Sequence, residues 1–197
     1  MELADAGRSI VVLIDLQGKL MDMVYRPDLV RAAAKRLLRF AELFEVPVVL
    51  TEQYPRGLGA TQAEVLEVFE ALATPKRRIE KVAFGCCGDA SFLAALDELR
   101  PGLAAQRRQL IVGGIEAHVC VMQTVLAALA AGNQVQLCWE ATSGRGVEYR
   151  QWALERMQQA GAVVTNHESV AFEWARDKDH PKFKALSALL KEGQLEG

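Results

Sequence analysis

The sequence predicts an α/β fold, a single domain of three layers (α/β/α) built around a mostly parallel sheet. Two observations predict it. Short, β-branched, nearly continuous apolar runs alternate with helix-length amphipathic stretches along the whole chain, the pattern of strands covered on both faces by crossover helices. The length of 197 residues, 51% of them hydrophobic, suits one sizeable core, and no internal repeat or linker divides it. Residues 1–197 therefore read as one domain.

The elements follow in order. Ser9 to Asp15 (SIVVLID) is the first strand, apolar on both faces. Leu29 to Phe44 places Leu29, Val30, Ala33, Ala34, Leu37, Leu38, Ala41 and Phe44 at helical spacing. Val46 to Thr51 is the second strand. Thr61-Gln62-Ala63-Glu64 has the form of a capping box, opening a helix to about Ala71. The basic run Lys76-Arg77-Arg78 reads as a solvated turn, and Arg78 to Ala83 as a third, more polar strand near an edge. Asp89 can cap a helix to about Leu99. Gln109 to Gly113 is the fourth strand, Cys120 to Ala131 a helix ended by Gly132-Asn133, and Gln134 to Trp139 the fifth strand. Glu148 to Ala160 is a helix stopped by Gly161, Ala162 to Thr165 a short sixth strand, and Pro181 to Lys191 a last amphipathic helix.

Composition removes several classes of function. A formal net charge of −2 points away from nucleic acid and anionic membranes. No apolar stretch reaches the roughly 18 residues of a span, and Met1-Glu2-Leu3-Ala4-Asp5 lacks the basic start and apolar core of a signal peptide. Four cysteines without a regular framework fit reduced thiols in the cytoplasm. The adjacent Cys86-Cys87 pair and only three histidines make a poor metal site. The segment Asp15-Leu16-Gln17-Gly18-Lys19-Leu20 after the first strand lacks the glycine-rich phosphate loop of a dinucleotide site.

In such sheets ligands bind outside the carboxyl ends of the strands. Asp15 ends the first strand, Lys81 lies late in the third and Cys120 follows the fourth, so all three fall on one rim. Together they suit nucleophilic catalysis: the carboxylate takes the thiol proton, the ammonium favours both anions, and backbone N–H groups at a helix start can hold an oxyanion. A cysteine at a helix N-terminus is expected to ionise more easily than a free one. Each residue also has a plain structural reading: Cys120 as a small apolar core residue, Asp15 as a turn residue, Lys81 as a solvated charge.

Five stretches lift the triad above those readings: Val12-Leu13-Ile14-Asp15-Leu16-Gln17, Thr51-Glu52-Gln53-Tyr54-Pro55-Arg56-Gly57-Leu58-Gly59, Glu80-Lys81-Val82-Ala83-Phe84, Gly114-Ile115-Glu116-Ala117-His118-Val119-Cys120-Val121 and Arg156-Met157-Gln158-Gln159-Ala160-Gly161-Ala162. With them the chain, from about Ile10 to Lys191, resembles the isochorismatase-like cysteine hydrolases, a superfamily that includes nicotinamidases, and within it the isochorismatase domain-containing branch. The resemblance implies a six-stranded parallel sheet in the order 3-2-1-4-5-6 and a catalytic triad of Asp15, Lys81 and Cys120. It also implies a cis peptide between Ile115 and Glu116 that turns the N–H groups of Glu116 and Cys120 into an oxyanion hole. Relatives are commonly dimers or larger, so a homo-oligomer (dimer or tetramer) is expected, with Val170-Ala171-Phe172-Glu173-Trp174 as a surface it could share.

Departures from the family pattern shape the functional reading. The metal-dependent nicotinamidases carry an Asp-x-His segment and a further histidine where this chain has Glu52-Gln53-Tyr54-Pro55-Arg56-Gly57, and His118, His167 and His180 stand elsewhere. No metal or other cofactor is expected, and nicotinamide is a less favoured substrate. Isochorismatases proper lack a cysteine at the position of Cys120, which argues against vinyl-ether cleavage. The expected activity is hydrolysis of a small amide or related acyl compound through a thioester. The alternative from another class is a catalytically silent relative that acts as an interaction or redox-sensing protein. Around the triad, Gln17, Tyr54 and His118 are candidate pocket residues, weighed against a turn, loop packing and a side chain pointing elsewhere. Cys86 and Cys87 read as loop or cap residues or as a redox pair, and Trp139 and Trp174 as core or subunit contacts.

Overall fold

The computed structural model describes residues 2–192 of the chain. Six parallel strands form one sheet in the order β3-β2-β1-β4-β5-β6: β1 (Ser9–Ile14), β2 (Val48–Gln53), β3 (Lys76–Lys81), β4 (Gln109–Gly114), β5 (Gln134–Thr142) and β6 (Val163–Thr165). The expected strand order is the observed one. Order reverses between β1 and β4, which pair from Ser9↔Gln109 to Ile14↔Gly114. That reversal opens the crevice in which such sheets bind ligands.

Every residue of β1 is buried, and its side chains divide between the two faces. Val11 and Leu13 join one core cluster, with Leu37, Phe40 and Phe69. Ile10, Val12 and Ile14 join the other, with Phe92, Val121 and Met157. Period-two alternation between two apolar layers is why this strand reads as an unbroken hydrophobic run. The helix Pro27–Phe44 lays Val30, Ala33, Ala34, Leu37, Leu38 and Ala41 on the first face, as its spacing predicts.

Several boundaries moved, each for a physical reason. The second strand runs on to Gln53, because β2 pairs with β3 up to Gln53↔Lys81. The basic run is strand rather than turn: Arg77 pairs with Glu98 and Arg78 with Glu52, so an edge strand carries charges on side chains that have acidic partners. The capping box does not form. Gln62 takes the N-cap of the helix Ala63–Ala71 without a side-chain hydrogen bond, because the Thr61 amide and hydroxyl both bind Glu52 Oε1, at 2.6 and 2.7 Å. Asp89 does cap its helix, accepting from the Ser91 amide.

The segment expected as a shared surface is core instead. Val170, Ala171 and Trp174, in the helix His167–Ala175, are buried, and the Trp174 indole donates to Ser9 Oγ at 3.0 Å; Phe172 is the exposed member. No helix among the described residues is long and apolar enough to cross a membrane.

The glycine that ends the fourth strand is a backbone requirement. Gly114 has φ +138°, and a Cβ there would lie 2.3 Å from Ile14 O. The close approach of β4 to β1 at this point sets the geometry of the loop that follows.

Candidate active site

Asp15, Lys81 and Cys120 come together at the carboxyl ends of β1, β3 and β4, on the rim where they were expected. Asp15 leaves β1 with φ +54°, a left-handed conformation costing roughly 1–2 kcal/mol that Asp tolerates better than most residues. That turn aims its carboxylate inward. Oδ1 accepts from Thr51 Oγ1 at 2.7 Å and Oδ2 from Lys81 Nζ at 2.7 Å. Lys81 is in turn held by Gln53 Oε1 at 2.7 Å, Phe84 O at 2.9 Å and Ala83 O at 3.2 Å. A buried ammonium needs this many acceptors, since water supplies none. Thr51 and Gln53 were not singled out in the sequence. Thr51 already stood at the expected end of the second strand, and the extension of β2 by two residues carries Gln53 to the same rim.

Cys120 lies in a wide helical turn, Ala117–Val121, that precedes the helix Met122–Ala130. The Ile115–Glu116 peptide bond that leads into this turn is cis. The amides of Val119 and Val121 both donate to Glu116 O, and that of Ala117 to Ser143 O, so none of these three is free for a ligand. Cys120 is therefore not the first residue of a regular helix, and the expected ease of ionisation is reversed. Burial and the neighbouring Asp15 carboxylate push the thiol up to about 12, against the pull of Lys81. Burial, the Asp15 charge and hydrogen bonding to Asp15 all favour the protonated thiol.

The three candidate pocket residues separate. Gln17 is fully buried and acts as a brace: its Oε1 accepts from the Gln53 amide at 2.6 Å, and its Nε2 donates to Gly59 O at 2.6 Å and Gln53 O at 3.1 Å. It ties the end of β2 to the loop that follows and so positions Gln53. Tyr54 is exposed and lines a groove of about 520 Å³ with Arg56, Glu80, Val82 and Asp89. That groove reaches Lys81 only at its backbone, since the Lys81 side chain is inaccessible. His118 points away from Cys120. Its ring packs on Tyr149 with centroids 4.8 Å apart, and it lines a separate groove of about 430 Å³ with Met122 and Trp152. A Cys-His dyad is excluded by that placement.

A second thiol stands at the site. Cys86, fully buried in the short turn Cys86–Gly88, places its sulfur 3.8 Å from Thr51 Oγ1, the hydroxyl that binds Asp15. Burial lifts this thiol to about 11.

Comparison with known proteins yields a consistent set. A profile described as the isochorismatase domain matches residues 9–169. Isochorismatase domain-containing protein 2 of Pongo abelii is 40% identical over 190 residues, spanning 94% of this chain and 84% of the relative. Isochorismatase domain-containing protein 1 of Danio rerio is 35% identical over 184 residues, spanning 93% of this chain and 61% of the relative. The chain thus covers about three fifths of the length of the protein 1 relatives from Danio rerio and Salmo salar. Among solved structures, the MAR1 ribonuclease of Caenorhabditis elegans superposes with a TM-score of 0.85 at 28% identity over 100% of both chains. The YcaC gene product of Escherichia coli, described as an octameric hydrolase of unknown specificity, gives 0.84 at 25% identity over 96% and 90%. YcaC of Pseudomonas aeruginosa, with hexane-2,5-diol and covalent acrylamide, gives 0.82 at 26% identity over 95% and 91%.

Proposed function

The chain belongs to the isochorismatase family, and on that premise we propose that it is a cysteine hydrolase of small amides or related acyl compounds, working through a thioester on Cys120. The observation that carries this reading is the buried cluster itself: Cys120, Asp15 and Lys81 gathered at one rim, with the Asp15 carboxylate held 2.7 Å from the Lys81 ammonium. Asp15 takes the Cys120 proton as sulfur attacks the substrate carbonyl. The oxyanion is received by the amides of Glu116 and Cys120, in a turn where those of Ala117, Val119 and Val121 are spent on the chain itself. Asp15 passes its proton to the leaving amine, the thioester remains, and water activated by Asp15 releases the acid. Lys81 keeps the carboxylate from drifting and offsets charge through each step. No metal enters the scheme, and turnover is expected to survive a strong chelator.

The covalent acrylamide in Pseudomonas aeruginosa YcaC supports the reading, because an electrophile that stays attached calls for a nucleophile in that protein. The ribonuclease name of the Caenorhabditis elegans neighbour is less readily carried over. A nucleic-acid path needs clustered cations, and this chain has a net charge of −2. The octameric YcaC neighbour supports assembly of this chain into a homo-oligomer through a surface other than Val170–Trp174. A monomeric mass in light scattering would overturn that part.

The test is a panel of small amides and imides screened for ammonia release, followed by intact-mass analysis with a slow substrate. An acyl adduct on Cys120 is the expected result. Wild-type turnover by Cys120→Ala on an authentic substrate would overturn the covalent scheme.

A further inference from the structure

We propose that Cys86 and Cys120 are a peroxide-responsive dithiol, in which oxidised Cys120 is captured by Cys86 as a disulfide and the site is switched off reversibly. This rests on Cys120 being the nucleophile proposed above.

The hydrolytic scheme gives Cys86 no task, yet its surroundings tie it to Cys120 from two sides. On the backbone side, the Cys86 amide donates to Thr124 Oγ1 at 2.9 Å, and the same hydroxyl donates to Cys120 O at 2.7 Å. One threonine therefore joins the two cysteine backbones through hydrogen bonds in series. On the side-chain side, Cys86 Sγ rests on Thr51 Oγ1 at 3.8 Å, and Thr51 binds the Asp15 carboxylate, whose charge acts on the Cys120 thiol. Gly85 lets the segment close in, since a Cβ there would stand 3.1 Å from Gln123 Cβ in the helix after Cys120. Both sulfurs belong to the same core cluster on one face of the sheet.

The other two thiols are placed elsewhere. Cys138 lies in the cluster on the opposite face. Cys87 directs its sulfur at Thr124 O, 3.7 Å away. Access also differs within the pair: Cys120 is 7% exposed and Cys86 is 0% exposed, so a dissolved oxidant meets Cys120 first.

The chemistry balances with hydrogen peroxide as the oxidant. Asp15 takes the Cys120 proton, sulfur attacks one peroxide oxygen, the S–O bond forms as the O–O bond breaks, and the departing hydroxide recovers the proton as water. The product is a sulfenic acid. Cys86 sulfur then attacks Cys120 sulfur, the S–S bond forms as the S–O bond breaks, and hydroxide leaves with the Cys86 proton as a second water. Two thiols lose two electrons and one peroxide becomes two waters. Thiol exchange with a cellular reductant reverses the link.

The experiment treats the full chain with one equivalent of hydrogen peroxide, then denatures it in excess alkylating reagent and maps peptides without reduction. The expected result is a Cys86–Cys120 cross-linked peptide with Cys87 and Cys138 alkylated, and four alkylated cysteines in a parallel sample reduced with dithiothreitol before alkylation. In Cys86→Ala the cross-link is lost, and Cys120 instead accumulates sulfinic and sulfonic forms that dithiothreitol does not reverse. Wild-type Cys120 that over-oxidises while Cys86 stays free, or a link to Cys87, would overturn the proposal and leave the nucleophile assignment standing. A Cys120 that neither oxidises nor alkylates in the native protein, while Cys87 does, would sink the nucleophile assignment and this proposal with it. The wild-type mapping is decisive even if the alanine variant does not fold.

Discussion

Lys81 Nζ lies 2.7 Å from Asp15 Oδ2, and neither side chain meets solvent. A pair this deep is not a generic source of stability, because desolvating two charges costs about as much as their attraction returns. Its value lies in fixing the position of the Asp15 carboxylate at the rim that also holds Cys120, whose thiol burial pushes up.

Removing one partner should be costly. Lys81→Met is expected to lose about 3–5 kcal/mol, the range for stranding a buried charge. Urea unfolding checks this, and Asp15→Asn combined with Lys81→Met should recover part of the loss. A Lys81→Met protein of wild-type stability would mean that the pair is not desolvated.

Asp15→Asn should separate base from thiol. Turnover is expected to fall ~10²–10⁴-fold without the positioned base. The Asp15 charge raises the Cys120 thiol and Lys81 lowers it, so loss of the charge should move thiolate formation to lower pH. Ultraviolet titration of the thiolate follows that shift. Adding Cys120→Ala should cost little further activity, since the two residues act as a unit.

Gln17→Ala should act at a distance. It strands the buried Gln53 amide and frees Gly59 O, for a loss of about 1–3 kcal/mol. The loop from Tyr54 to Thr61 should then exchange its amide hydrogens faster than the sheet does. Unchanged exchange there would count against the bracing role.

Stability should fall at alkaline pH. Burial raises Cys86 to about 11 and Cys120 to about 12 from 9.0. Below about pH 9 both folded and unfolded chains keep these protons, so the folded state carries no penalty. Above it the unfolded chain loses protons that the folded chain retains, and stability declines as pH rises toward 11–12. Urea midpoints at about pH 8 and about pH 10 should show the decline, with a shallower slope in a Cys86→Ala, Cys120→Ala double variant.

Gly114→Ala should be among the worst single changes in the chain. The added Cβ would stand 2.3 Å from Ile14 O in a backbone conformation that L side chains rarely adopt. A loss of at least ~3 kcal/mol, or no folded protein, is expected in thermal melts and in expression yield.

The sequence by itself determined the α/β class, the strand runs and the rim that gathers Asp15, Lys81 and Cys120. Those follow from local rules: strands buried on both faces read as apolar runs, and the carboxyl ends of parallel strands share an edge. The strand order and the choice of these residues over plain structural readings came from the joint occurrence of family motifs, which spacing alone does not supply. Tertiary structure decided what depends on partners distant in sequence. Trp174 is core because Ser9, at the far end of the chain, offers its indole an acceptor. Gln17 is a brace because β2 runs two residues further and presents the Gln53 amide to it. Cys120 keeps its proton because burial and Asp15 outweigh a helix start that proves to be a wide turn. A local pattern can say which residues meet at a rim, but the protonation state of a thiol there is a sum over neighbours that only the folded chain assembles.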